Sequence, residues 1–165
     1  VLVDGDELAV IPPVSGGAPE GDAAIHTAIT DQPLSVDKLI ELVRHPGAGA
    51  IVTFHGTTRS VDRLDYEAYD EMAGELLARI VDEVAAKHGV LAAAAEHRTG
   101  SVPLGEASVV VAVSSAHRPE AFAAARETID RIKQELPVWK REVEHTDAGE
   151  SANWVEGTPV KEEVR

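Results

Sequence analysis

"ASVVVAVSSAHRPEAFAAARETIDRIKQELPVWKRE", residues 107–142, holds a strand, a helix and a second strand with very little between them. The run "ASVVVAV" is apolar without alternation, which predicts a strand buried on both faces. Pro119 suits the first turn of a helix, where its missing N–H leaves no bond unmade. Phe122, Ala125, Ile129, Ile132 and Leu136 recur at helical spacing and form one apolar stripe, and Pro137 ends it. "VWKREVE" then reads as a strand.

Working outward, "AAIHTAIT", "GAGAIVTFHG", "RLDYEAY" and "VLAAAAEHRTG" read as further strands, and "ANWVEG" as a last one. Ser35 precedes Val36, Leu39, Ile40 and Val43, the pattern of an N-cap and a short helix. Residues 70–88 form the clearest helix, with Met72, Leu76, Leu77, Ile80 and Val84 as its stripe and Gly89 as its stop. Strands and helices mix without a regular βαβ rhythm. The fold class expected is α+β, a mixed or antiparallel sheet with two long helices.

The chain has 165 residues, the length of one domain, with 44% apolar and only 4% aromatic residues, so aliphatic and alanine packing must dominate. No apolar run approaches a membrane span, and no signal peptide is visible at the start. A cytoplasmic protein is expected. It contains no cysteine, which excludes disulfides, thiolate metal sites and a persulfide on this chain. The net charge of −14 argues against nucleic-acid binding. Yet six of the fifteen lysines and arginines fall between Arg118 and Arg141. That concentration fits either an anion site or an ordinary solvated helix.

Three places can carry chemistry. In "SSAHRPEAF" a buried strand runs into His117 and Arg118 and then into a helix start, whose free N–H groups and dipole favour an anion. The same pair could simply link two elements. Lys133 sits at the edge of the helical stripe with its stem expected to be partly buried, and Lys140 follows on the next strand. Two such lysines can converge on one pocket, where desolvation would suit acid–base or nucleophilic work, although most lysines are solvated. In "FHGTTRS", Arg59 follows a strand end and can clamp phosphate or merely cap a turn. His97-Arg98 looks like a structural strand-end pair. The histidines show no metal-ligand spacing, so no metal is expected. Walker, dinucleotide and nucleophile-elbow motifs are missing.

Read in order, "FHGTTR", "LDYEAYDEMA", "HRTGSVPLGEASVVVAVSSAHRPEAF", "KQELPVWKRE" and "NWVEG" resemble the catalytic large subunit of molybdopterin synthase, the MoaE family. The resemblance implies an α/β hammerhead-like fold, a homodimer, and conversion of cyclic pyranopterin monophosphate (precursor Z) into molybdopterin by dithiolene formation. It implies Lys133 and Lys140 as catalytic residues, with Arg59, His117 and Arg118 holding the pterin phosphate. No cofactor is called for, because sulfur comes as a thiocarboxylate on the final glycine of a MoaD-like carrier. Two departures stand out: His55 inside the "FxGxxR" pattern, and Glu156, Gly157 and Thr158 after Trp154-Val155, where the family often has an arginine. The alternative is a non-catalytic module that binds a ubiquitin-like carrier tail. A phosphate-ester hydrolase ranks last for want of a water-activating group.

The start of the chain fits the same resemblance. "VLV" and "LAVI" flank the turn-forming "DGDE", and "IPPVSGG" ends in Gly16-Gly17, like the last strand and tail of a β-grasp carrier. The expected organisation is a carrier remnant at 1–17, a linker at 18–21, the catalytic domain at 22–157 and a tail at 158–165. Val1 in place of a Met suggests a longer gene product. Only a free carboxylate can be sulfurated, so the expectation is a carrier–enzyme fusion cut after Gly17. An intact fusion with a relic Gly-Gly, and a linker lying in the active-site channel, remain the alternatives.

Overall fold

The computed structural model describes residues 23–147 and 149–155. The carrier remnant with Gly16 and Gly17, the linker, the tail at 158–165 and the departure at 156–158 lie outside the described residues.

The chain runs β1 (Ala24–Thr30), α1 (Val36–Leu42), β2 (Ala50–Thr57), β3 (Arg63–Ala68), α2 (Asp70–His88) and β4 (Ala92–Arg98). It continues through β5 (Gly100–Pro103), β6 (Ala107–Ser115), α3 (Arg118–Glu135), β7 (Val138–Thr146) and β8 (Gly149–Val155). These strands make two four-stranded sheets, ordered β1-β4-β6-β2 and β5-β3-β7-β8. The first is mixed, with β1 parallel to β4 and the other pairs antiparallel; the second is antiparallel throughout. The α+β class with two long helices holds, with two sheets rather than one.

Alternation along β4 and β6 explains the layers. Ala92, Ala94, Val110 and Ala112 turn to one face and pack against Leu39 and Val43 of the α1 region. Ala93, Ala95, Val109, Val111 and Val113 turn to the other and meet α2 and α3. The alanines of β4 let both layers approach closely, so this strand too is buried on both faces. Ser35 caps α1, its Oγ accepting from the Lys38 amide at 3.3 Å. Gly89, at φ 60°, closes α2 in the left-handed conformation that glycine adopts without strain.

Two expectations need correction. Met72 and Phe122 are exposed, while Ala73 on α2 and Ala121 and Ala124 on α3 are buried in their place. Close packing of α2 on α3 and the sheet selects the alanine faces, turning the larger side chains outward. "VLAAAAEHRTG" holds the expected strand as β4, and the next strand begins at its last residue. The backbone breaks at Gly100, φ 72°, and leaves the first sheet to become β5 at the edge of the second. Among the described residues no helix is long and apolar enough to cross a membrane.

Candidate active site

The two sheets meet at one end of the molecule. There the last residues of β2 and β4, the first of β6, the C-terminal turn of α3 and the start of β7 surround a cleft of about 990 Å³. Lys133 enters from the last turn of α3, where the helix dipole favours a cation. Pro137 breaks the helix and sends the chain straight into β7, bringing Lys140 to the same space. Tyr66 pairs with Lys140 and Leu64 with Glu142 across β3 and β7, so all four share the face that lines the cleft. Arg59, just beyond β2, completes the rim.

The ion pairs single out these cations. Every other described lysine and arginine except Arg118 pairs with a carboxylate within 4.0 Å. Arg59, Lys133, Lys140 and Arg118 pair with none among the described residues. In a chain with 29 acidic residues against 15 basic ones, unpaired cations gathered around a cleft are available to an incoming anion.

The structure corrects two expectations about these residues. Lys133 is exposed and Lys140 half-buried, so the desolvation expected for Lys133 is not supplied by this chain alone. His117 and Arg118 do not reach the cleft: they are exposed at the N-terminal end of α3, and a helix of that length puts Arg118 about 22 Å from Lys133. Their helix start does lack a side-chain cap, as an anion site requires.

Tyr66, His97, Ser108 and Glu142 also line the cleft. The Tyr66 and His97 rings meet in a T-shaped contact, with centroids 5.3 Å apart at 76°. Burial pushes the Tyr66 hydroxyl up, and interaction with Ser108 partly offsets that. Ser108 itself donates to the Gly56 carbonyl at 3.1 Å. His97, 7% exposed, is pushed down to about 4 by burial; a bond to the Arg98 carbonyl opposes the shift and the Lys133 charge adds to it. Tyr66, Ser108 and Glu142 carry no sequence pattern that separates them from ordinary strand residues.

The family model described as MoaE protein matches residues 29–135. The chain belongs to the MoaE family. The molybdopterin synthase catalytic subunit of Thermoplasma volcanium is 48% identical over 124 residues, covering 72% of this chain and 90% of that one. A crystal structure of molybdopterin synthase from Staphylococcus aureus superimposes with a TM-score of 0.70 at 34% identity, over 78% of this chain and 95% of the other. A Helicobacter pylori structure described as a complex of subunits 1 and 2 of molybdopterin-converting factor shares the fold, with a TM-score of 0.65 at 18% identity, covering 83% and 93%.

As a MoaE-family chain it is a molybdopterin synthase catalytic subunit by kinship, and the cleft is its concave, cation-rich site. Of the five residues expected to act, one copy brings together Arg59, Lys133 and Lys140, and leaves His117 and Arg118 apart.

Proposed function

We propose that this cleft converts precursor Z to molybdopterin by transferring sulfur from the thiocarboxylate of a MoaD-like carrier tail. The observation that carries the reading is the set of cations without a carboxylate partner among the described residues, Arg59, Lys133 and Lys140, on three separate stretches around one cleft. The substrate's phosphate and a thiocarboxylate are both anions, and both need such partners. Lys133 serves acid–base or covalent contact with the tail, Lys140 polarises the substrate, and Arg59 clamps the phosphate. The sulfur source makes a resident cofactor unnecessary, and a cytoplasmic setting goes with this reading.

His117 and Arg118 fit the same function from a second copy. Exposed and far from their own cleft, they can serve substrate only across a homodimer, where each copy lends its helix start to the other's site.

The Gly16-Gly17 pair is best read as a carrier terminus released by cleavage after Gly17. Ala24 opens β1 beside Ala92, at the end of the first sheet opposite the cleft, and β1 alone spans about 20 Å. A fully extended chain from Gly17 to Ala24 reaches at most about 24 Å. Cleavage after Gly17 would free the tail from that tether.

Titration of the protein with precursor Z tests the site. Arg59→Ala should weaken binding by roughly tenfold or more, the size of one lost charged hydrogen-bond pair, and added salt should weaken the unaltered protein. Equal affinities in the two proteins would place the phosphate elsewhere.

A further inference from the structure

His97 is a buried imidazole with one ring nitrogen bonded to the backbone. Its Nδ1 lies 2.9 Å from the Arg98 carbonyl oxygen. A carbonyl only accepts, so Nδ1 carries the proton and donates, and Nε2 is left with its lone pair. The ring has little freedom to turn. Its backbone is paired on both sides, to Ile29 and to Val109, and its ring packs steeply against that of Tyr66. The Arg98 carbonyl is steadied in turn, because that side chain is tied to Glu106 and to the Ser101 carbonyl. His97 lines the cleft together with Lys133, which is close enough to act on it electrostatically.

We propose that His97 is a positioning residue for Lys133: a neutral imidazole, its proton fixed on Nδ1, whose Nε2 accepts a hydrogen bond from the Lys133 ammonium in the working site. The proposal rests on the reading that Lys133 acts in sulfur transfer. An uncharged acceptor suits this place. A carboxylate would pair with Lys133 and cancel the charge an anionic substrate is to meet, and an imidazolium would repel it. The charged groups that line the cleft with His97 are consistent with its neutrality. Lys133 on α3, Lys140 on β7 and Arg59 beyond β2 are cationic; Tyr66 on β3 is uncharged; Glu142 on β7 is the one acid in the lining among the described residues. Burial holds His97 at about 4, so it stays neutral through the working range.

Nitrogen NMR of the imidazoles in the full chain, with His97→Phe identifying the signal, is the direct test. The expected pattern is protonated Nδ1 and unprotonated Nε2, unchanged from about pH 8 to about pH 5.5, with the Lys133 Nζ signal moving in His97→Phe. Protonated Nε2, or titration in the ordinary histidine range, overturns the proposal, as does an unmoved Lys133 signal. Single-turnover rates at saturating substrate give the second readout. His97→Phe should be roughly tenfold slower, the size of one hydrogen bond to a charged group, with substrate affinity retained. His97→Gln, which offers an oxygen acceptor near Nε2, should recover most of that loss. A Phe variant as fast as the unaltered protein, or a Gln variant as slow as Phe, contradicts it. If the unaltered protein makes no molybdopterin, the sulfur-transfer reading fails, and the NMR result still decides the role of His97.

Discussion

Tyr66 on β3 and Lys140 on β7 stand directly opposite one another across an antiparallel ladder, and both reach the cleft from the same sheet face. Arg141, the next residue, turns to the other face, where it meets Asp65 at 3.6 Å and lies 5.3 Å from the centre of the Trp154 ring. Alternation along one strand thus separates a cation available to substrate from a cation held by structure. A one-residue slip of β7 would exchange them.

Subunit mixing tests the shared site. Arg118→Ala and Lys133→Ala should each be nearly inactive alone. Mixed in equal amounts and allowed to exchange, they should recover about one quarter of the sites, because half the dimers are mixed and each restores one complete site. No recovery, with exchange shown to occur, would return Arg118 to a local role.

Two glycines hold the strand that leads to Arg59. A Cβ on Gly49 would lie 2.4 Å from the Ala116 carbonyl oxygen, and one on Gly56 would lie 2.6 Å from Val109 Cγ1. Gly56→Ala should lower stability by about 1–3 kcal/mol through overpacking beside the cleft. Gly49→Ala meets backbone rather than a side chain and should lower it further. Denaturant midpoints check both, and unchanged midpoints would contradict the close packing.

Acid should expose the cost of burying His97. Its folded-state value is about 4, below the ordinary 6.5, so the unfolded chain binds the proton first. Stability is therefore highest above about pH 6.5 and declines as pH falls toward 4, by about 3 kcal/mol at the lower limit. His97→Phe should flatten that part of the pH–stability curve. An identical slope in the variant would show that His97 titrates freely.

Glu96 should add a separate acid limb. Burial opposes its ionisation, but Lys38 at 2.7 Å and His26 at 2.8 Å outweigh it and hold the carboxyl below its usual range. Its contribution is present above the ordinary glutamate range and lost as pH falls through the lower folded-state value. Glu96→Gln should lose about 1–3 kcal/mol near neutrality and much less in acid, by denaturant unfolding at both pH values.

Much of this was legible in residues 107–142. Pro119 and Pro137 mark the ends of α3, and the valines of β6 announce a strand covered on both sides. One proline between helix and strand was also enough to bring Lys133 and Lys140 together. Local patterns carry no distances, however. "AHRPEAF" shows an anion-friendly helix start, but only the length of α3 reveals that it lies away from Arg59. Alanine-rich helices give weak periodic contrast, which is why Phe122 reads as a core residue. His97 passed for structural because its tautomer depends on a carbonyl one residue away, and no sequence pattern records that.

Single-turnover formation of molybdopterin is the measurement that tests the central claim. The chain is mixed with precursor Z and a separately prepared thiocarboxylated carrier, beside Lys133→Ala, Lys140→Ala and a form beginning at Ala18. Product from the unaltered chain or from the Ala18 form is expected, with roughly a hundredfold or greater loss in each lysine variant and no loss of stability, since one lysine is exposed and the other half-buried. Carrier binding without product in both forms, or full activity in both lysine variants, would contradict the assignment of sulfur transfer to this cleft.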